Sequence, residues 1–317
     1  LTISTFAFSK INSITFLFIA ILLMRLSGQG MMSHTATTTI SRYFSNTRGK
    51  ALSTGWFGLS TAEFLMPVTI IYALTIMDWR NIWIIISVSI ILFLPLVSYF
   101  LVKEVKLSSR EDDNEVIKEN IKQWKRSEVI KDYRFIIIAL NMLAMPWIAT
   151  GIFVYQSFIL SAKNWGEYTI AQSFMVYSIA SVLTLFAAGY LIDKFTSRKL
   201  LIYMNIPFLI SLLILIYFQS PVSSFFFLGL IGVSNGFANV LGSSTWAELY
   251  GVEFIGSIKA LTTALMVFST AFGTAFFGLM IDFDFSIEQI SMISGGYILI
   301  SLILLFLIKN KLNPTIL

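Results

Sequence analysis

Residues 168–199 read YTIAQSFMVYSIASVLTLFAAGYLIDKFTSRK, an apolar stretch that ends in a short charged loop. No Asp, Glu, Lys or Arg occurs between residues 168 and 192, whereas four charged residues fall within the next seven positions. A helix of about 20 mainly apolar residues spans the hydrocarbon core of a bilayer. The stretch therefore predicts a membrane-spanning helix that ends close to Asp193.

The same pattern recurs along the whole chain. Of the 317 residues, 56% are hydrophobic and only 12% are charged, about half the charged fraction of a soluble domain, which is about 25%. A soluble protein of this size cannot hide so much apolar surface, so the composition excludes a soluble enzyme, a nucleic-acid module and a disordered protein. The sequence predicts an all-α polytopic membrane protein with nine spans, over residues 13–38, 50–76, 81–102, 134–160, 168–191, 200–218, 223–247, 256–281 and 287–308. Residues 1–9 are interpreted as the tail of a further span.

Lys and Arg residues are distributed unevenly among the predicted loops. With the loop 103–133 in the cytoplasm, 18 of the 22 Lys and Arg residues lie on the cytoplasmic side and three on the other, while Arg25 lies inside a span. Cytoplasmic loops are enriched in Lys and Arg. We therefore expect a cytoplasmic C-terminus. The compact loops suit a bacterial inner membrane.

The loop 103–133 holds 16 of the 39 charged residues, eight of each sign. Ile117, Ile121 and Trp124 recur at helical spacing, which indicates a short amphipathic helix. A solvated charged linker is the alternative interpretation. In either case the loop separates three spans from six.

Several short motifs follow one another in a fixed order. They are Arg25-Leu-Ser-Gly28-Gln29-Gly30, Arg48-Gly49-Lys50-Ala51-Leu52, Asp78-Trp79-Arg80 and Gly189-Tyr-Leu-Ile-Asp193-Lys194-Phe-Thr-Ser-Arg198-Lys199. Together they resemble the major facilitator superfamily of transporters: the first is similar to the RxxxG signature of its fourth helix, and the last to the GxLxDRxxxR signature that follows its second and eighth helices. The stretches Trp246-Ala-Glu248 and Gly256-Ser-Ile-Lys259 are similar to the monocarboxylate-porter and oxalate/formate-antiporter branch.

The resemblance implies a two-bundle fold in which the nine spans are helices 4 to 12. Residues 1–102 are then the remainder of the N-terminal bundle, with the end of helix 3 and helices 4–6, residues 103–133 are the cytoplasmic linker, and residues 134–317 are the C-terminal six-helix bundle. Helices 1 and 2 and most of helix 3 are missing from this alignment. We therefore expect the sequence to be N-terminally incomplete.

Charged groups inside a bilayer are costly and are candidates for function. Arg25 and Glu63 both lie near mid-depth of neighbouring predicted spans, so we hypothesise a pair whose separation couples proton movement to transport; a static ion pair is the alternative. Gln29 shares the face of Arg25 at i+4, whereas His34 lies half a turn out of phase at 100° per residue. His34 is interpreted either as a proton relay or as a packing residue.

The second half has no charged residue in the middle of a span. Its polar candidates for a solute cavity are Asn235 and Asn239, one turn apart, and Asn141 and Gln156, about 60° apart on an ideal helix. Hydrogen bonding between helices is the alternative role for each of them.

The resemblance also implies a cytoplasmic gate. An acid can cap the positive N-terminus of a facing helix, so Asp193 is expected to meet the start of the helix near Gly49. Lys194, Arg198, Arg42 and Glu248 are expected to join this network. A loop that only sets topology is the alternative.

These observations favour secondary transport of a small solute by alternating access, driven by an ion gradient such as that of protons. An organic anion such as a monocarboxylate suits a deep Arg25; nitrate, sugars, amino acids and amphiphilic drugs are alternatives. We expect a monomer in the lipid bilayer that binds no nucleic acid. Because the chain has no Cys and one His, and shows no Walker loop or catalytic triad, we expect no enzyme activity, metal or cofactor. A non-transporting sensor or a truncated, inactive product is the alternative function.

Overall fold

The computed structural model describes residues 1–44, 47–103 and 122–316 of the chain. Helices account for nearly all of these residues, as the composition predicts. In chain order they are α1 (Thr2–Ser9), α2 (Ile14–Met24), α3 (Ser33–Tyr43), α4 (Arg48–Ile76), α5 (Trp79–Lys103), α6 (Arg126–Val129), α7 (Tyr133–Ala144), α8 (Thr150–Val154), α9 (Gln156–Lys163), α10 (Glu167–Phe195), α11 (Ser197–Met204), α12 (Ile206–Tyr217), α13 (Ser223–Tyr250), α14 (Ile255–Asp282) and α15 (Ile287–Ile308).

Within the described residues, eight helical segments are long and apolar enough to cross a membrane. They are Ile14–Tyr43, Trp79–Val97, Tyr133–Val154, Gln172–Phe195, Ser197–Tyr217, Ser223–Tyr250, Ile255–Asp282 and Ile287–Lys311. Each overlaps one of the predicted spans. The remaining predicted span, 50–76, lies in α4, whose 29 residues extend about 44 Å at about 1.5 Å per residue.

Two of the predicted spans are interrupted helices. The span 134–160 passes through a π-helical segment, Met145–Ala149, which contains Pro146, and the helix then breaks at Tyr155. The span 200–218 breaks at Asn205, two residues before Pro207. Proline has no backbone N–H to donate, and it clashes with the preceding turn, so each proline accounts for a local departure from α geometry. Hydropathy alone does not report such breaks.

The span that carries Arg25 is also irregular. Between α2 and α3 the chain forms a second π-helical segment, Arg25–Met32, with the sequence RLSGQGMM. Hydrogen bonds in a π-helix join residues five apart, and such segments are frequent at functional sites. The predicted angle between Arg25 and His34 assumed an ideal α-helix, so it does not apply across this segment.

Contacts divide the chain into two compact units. The first holds residues 1–37 and the described part of 61–117; the second holds residues 38–60 and the described part of 118–317. In the first unit α1 packs along α5: the ring centroids of Phe8 and Trp83 lie 4.6 Å apart, and the Ser87 hydroxyl donates to the carbonyl of Thr2 over 3.0 Å.

The most extensive helix contact among the described residues is that of α10 with α13, in the second unit. A Cβ atom on Gly236 would lie 2.6 Å from the carbonyl oxygen of Ser181, and one on Gly232 would collide with the carbonyl of Tyr177. Small residues at helix crossings let backbones approach closely in membrane proteins. The pair is further joined by the hydroxyls of Ser173 and Ser224, 2.6 Å apart.

One hydrophobic cluster of the second unit includes a residue from before the linker. Leu52 of α4 is fully buried among side chains of α7, α10, α11, α13 and α14, and Ile40 and Trp56 pack against the same cluster. The ends of α3 and α4 that flank residues 45–46 are therefore part of this core. That packing fixes where α4 begins.

The C-terminal segment is held by residues from the start of the second half. The carbonyl of Thr315 accepts from the backbone N–H of Lys122 over 2.8 Å, and that of Asn313 accepts from Arg134 over 2.9 Å. Arg198 donates to the carbonyl of Leu312 over 3.3 Å. The described end of the linker is thus fastened to the end of the chain. The predicted amphipathic helix around Ile117 and Ile121 lies outside the described residues.

Candidate functional site

Asp193 caps the N-terminus of α4 from another helix. It lies in the last turn of α10, and its two carboxylate oxygens accept the backbone N–H groups of Gly49 and Lys50 over 2.8 Å and 3.1 Å. The first N–H groups of a helix have no partner inside the helix, and the N-terminus carries a partial positive charge. A carboxylate therefore suits this position. We call the contact of Asp193 with Gly49 and Lys50 the cross-helix cap.

Glycines bring the two helices close enough for this cap. A Cβ atom on Gly189 would lie 2.6 Å from the Ser53 hydroxyl oxygen and 2.9 Å from the Gly49 carbonyl oxygen, and one on Gly49 would collide with the backbone of Gly189. The backbones of α4 and α10 are in contact one turn before Asp193. Any larger residue at Gly189 moves the carboxylate away from the N–H groups.

A second carboxylate caps α11 in the same way. Both oxygens of Glu248, near the end of α13, accept the N–H of Ser197 over 2.9 Å and 3.1 Å, and one lies 3.5 Å from the N–H of Arg198. The residue before this helix, Thr196, has φ 73° and ψ 146°, a conformation that a β-branched residue rarely adopts. Glu248 thus holds a strained turn between α10 and α11.

Arg48 lies within the field of both acids. Burial lowers the pKa of its guanidinium, and the negative charges of Glu248 and Asp193 partly offset that shift. Its Nε donates to the carbonyl of Ser41 over 3.2 Å, which ties the end of α3 to the start of α4. Arg48 belongs to the motif Arg48-Gly49-Lys50, but the basic residue expected in the network from the sequence was Arg42. The sequence does not show that Arg48 lies near Glu248, because that depends on packing between distant segments.

The other expected gate residues lie around this centre. Arg42 is exposed and forms no ion pair with any residue that the structure describes, so the expectation that it joins the network is not met there. Lys194 is exposed and lies over the Phe195 ring at 5.3 Å. Arg198 points its Nη1 toward Leu312 and the Asn313 side chain, at 3.3 Å and 3.1 Å.

The polar candidates of the second half make contacts between helices. Asn141 is fully buried. Its Nδ2 donates to the Ser301 hydroxyl over 3.3 Å, and its backbone carbonyl accepts from Nδ2 of Asn205 over 2.6 Å. Asn235 donates to Ser181 over 3.0 Å. These contacts match the alternative role, hydrogen bonding between helices.

Two further candidates of the second half, Gln156 and Asn239, are half-buried. Gln156 begins α9, and the break at Tyr155 separates it from Asn141. The 60° relation between Asn141 and Gln156, calculated for a continuous helix, therefore does not hold.

The candidates of the first half are described only in part. Arg25 is exposed at the start of the π-helical segment, and His34 is half-buried in α3. The side chains of Gln29 and Glu63 lie outside the described residues. The hypothesised Arg25–Glu63 pair therefore stays a prediction.

Lys259 is a buried cation that the sequence did not single out as a site. It is 4% exposed, and its Nζ donates to the Ser243 hydroxyl over 2.9 Å. None of the ion pairs found among the described residues includes it. The only signal in the sequence was its place in the Gly256-Ser-Ile-Lys259 motif.

Comparison with known proteins gives one family. The family model described as Major Facilitator Superfamily matches residues 1–274, which include every residue of the two caps. No curated protein matches the chain.

Proposed function

The chain belongs to the major facilitator superfamily, and we propose that it moves a small solute across a membrane by alternating access, with the cross-helix cap closing the cytoplasmic gate. The observation that carries the proposal is the bidentate contact of Asp193 with the N–H groups of Gly49 and Lys50. It joins a helix that precedes the linker to one that follows it. Such a contact has to open if the two halves rock against each other.

The cap has a suitable strength for a gate. A hydrogen bond to a charged group contributes about 1.5–3 kcal/mol, and two such bonds hold the start of α4. When the gate opens, water replaces the carboxylate at these N–H groups, so only part of this free energy is lost. A solute that binds the two states with different affinity can supply the remainder.

We further propose that the solute is a small organic anion and that an ion gradient drives its movement. Arg25 supports this because a deep guanidinium is a counter-ion for a carboxylate, and it lies in an irregular π-helical segment. Protons are the proposed coupling ion, with Glu63 as the acceptor and His34 as an alternative relay. The same proposal places the C-terminus in the cytoplasm, on the basis of the Lys and Arg distribution. It takes the protein as a monomer in a bacterial inner membrane, which the family and the compact loops support.

The gate is tested by thiol accessibility, because the chain has no cysteine and an introduced one is unique. Ser41 is 0% exposed and its hydroxyl has no hydrogen-bond partner among the described residues, so Ser41→Cys is a mild reporter. Asp193→Asn loses the bidentate acceptor. We expect it to raise the maleimide labelling rate of Ser41→Cys about tenfold, the change that about 1.4 kcal/mol produces.

Two controls make this test specific. Ser294 is also 0% exposed with an unpartnered hydroxyl, but it lies in α15, so labelling of Ser294→Cys should not change. Lys194→Gln removes a neighbouring exposed charge and should leave Ser41→Cys protected. Equal labelling with and without Asp193, or equal gains at both reporters, would contradict the gate.

Transport is tested with the full chain in proteoliposomes, using labelled monocarboxylates and an imposed proton gradient. We expect uptake of the monocarboxylate that requires the proton gradient. Glu63→Gln should remove the pH dependence of uptake and leave the protein folded. The matched control is Glu253→Gln, which makes the same change at an exposed position outside the spans. Saturable binding of the solute without flux would instead favour the sensor interpretation.

A further inference from the structure

A second polar site lies at the end of the helices, away from the cross-helix cap. A cavity of about 640 Å³ opens between the start of α11 and the end of α15. The side chains that give it its polarity are Arg198, Lys199, Tyr203, Lys309, Asn310 and Asn313. It is built entirely within the second compact unit.

The cavity is positively charged. Three of its residues carry a positive charge, and no Asp or Glu is among the described residues that line it. Lys199 and Lys309 are exposed, and neither forms an ion pair with a described residue. Arg198 uses Nη1 to hold the wall formed by Leu312 and Asn313, which leaves its other N–H groups for a ligand, since a guanidinium has five. The positive charge of the cavity favours the binding of an anion.

The surface next to the cavity is apolar. Tyr203, Ile206 and Ile210 project from α11 and α12 and are 58%, 36% and 44% exposed, while Ile303 and Phe306 of α15 are 50% and 54% exposed. Ile206 and Ile210 lie one turn apart on α12, and Ile303 and Phe306 lie one turn apart on α15, so each pair shares an apolar face. Tyr203 adds to the first of these apolar stripes from α11, just before the break at Asn205. A soluble anion would contact the charged cavity but not these apolar stripes. A lipid with an anionic headgroup and acyl chains contacts both surfaces.

We propose that this cavity binds the phosphate headgroup of an anionic phospholipid, with the acyl chains lying along the stripes of α11, α12 and α15. Lys199 and Lys309 supply the charge, and Asn310 and Asn313 donate to the phosphate and glycerol oxygens. Basic pockets between membrane helices are known to favour such headgroups. The cavity lies beside the turn that Glu248 holds, so a bound lipid also fixes the position of α11. The site is independent of the transported solute.

The experiment counts lipids bound to the purified full chain by native mass spectrometry. The probes are dioleoylphosphatidylglycerol, dioleoylphosphatidylcholine and glycerol 3-phosphate, and Lys199→Gln/Lys309→Gln is the site variant. Arg126→Gln/Lys131→Gln removes the same charge from exposed positions outside the cavity and serves as the matched control. We expect phosphatidylglycerol to bind more tightly than phosphatidylcholine. The site variant should weaken phosphatidylglycerol binding about 30-fold, which corresponds to about 1 kcal/mol for each of the two basic residues removed.

Each other outcome overturns the proposal. Equal losses of phosphatidylglycerol affinity in the two double variants would show that general surface charge, and not the cavity, attracts the lipid. Glycerol 3-phosphate that displaces the lipid at equal concentration would mark a site for a soluble anion. Unchanged phosphatidylglycerol binding in the site variant would show that the lipid does not bind in this cavity. Ile210→Ser distinguishes lipid from soluble anion further, because Ile210 lies outside the cavity lining. This change should weaken phosphatidylglycerol binding and leave glycerol 3-phosphate binding unaffected.

Discussion

The N-termini of α4 and α11 are both capped by a carboxylate from a different helix, yet the two caps join different parts of the chain. Glu248 caps Ser197 and Arg198, 51 and 50 positions away, and all three lie after the linker. Asp193 caps Gly49 across 144 positions and across the linker. If the proposed gate opens, we therefore expect the Glu248 cap to stay in place as a permanent cap and the Asp193 cap to separate.

The largest expected effect comes from removing the permanent cap. Glu248→Ala leaves two N–H groups without an acceptor beside a strained Thr196, at a cost of about 1–3 kcal/mol for each unsatisfied group. We expect the thermal unfolding midpoint in detergent to fall by several degrees. Asp193→Ala should lower the unfolding midpoint less, because the N–H groups of Gly49 and Lys50 can donate to water instead when the gate opens.

Glu253→Ala is the control for this comparison, since Glu253 is exposed and lies only five residues further on. It should leave the midpoint unchanged. Equal destabilisation by Glu248→Ala and Asp193→Ala would erase the distinction between the two caps.

A medium effect is expected from Gly189→Ala. The added methyl group meets the Ser53 hydroxyl and the Gly49 backbone, and overpacking of this kind costs about 1–3 kcal/mol only while α4 and α10 touch. The labelling rate of Ser41→Cys should therefore rise without a matching loss of stability. Gly242→Ala is the matched control, because a Cβ atom there has no neighbour within 4 Å; if it opened the gate equally, close approach at Gly189 would not be the cause.

The smallest effect should be a gain. Thr196→Gly relieves the left-handed φ of 73° and removes a buried hydroxyl that has no partner among the described residues. After the entropy cost of glycine in the unfolded chain, we expect about 1 kcal/mol of added stability, seen as a higher unfolding midpoint. Thr196→Ala removes the hydroxyl but keeps the strain, so it should gain less. Equal gains would assign the effect to the hydroxyl alone.

The sequence predicted the fold because membrane spans are a local property. Runs of about 20 apolar residues can be recognised without knowledge of distant contacts, and the family model matches residues 1–274. The position of Asp193 opposite Gly49 was expected from the resemblance, and the structure places the two in contact.

The remaining features depend on contacts between distant segments. Arg48, not Arg42, lies in the field of Glu248 and Asp193, and no spacing in the sequence distinguishes the two arginines. The breaks at Tyr155 and Asn205 and the π-helical segments changed which residues share a face. Angles calculated at 100° per residue do not hold across such irregularities.

The tethered C-terminal segment has a consequence for how the chain is made. The carbonyl groups of Thr315 and Asn313 accept from Lys122 and Arg134, so they complete contacts with residues that are synthesised much earlier. Until then the partners at Lys122, Arg134 and Arg198 are absent, and this end of the bundle is unfinished. The contacts at Lys122, Arg134 and Arg198 therefore form only after residues 312–315 have left the ribosome, which makes this junction a late step in the assembly of the second half.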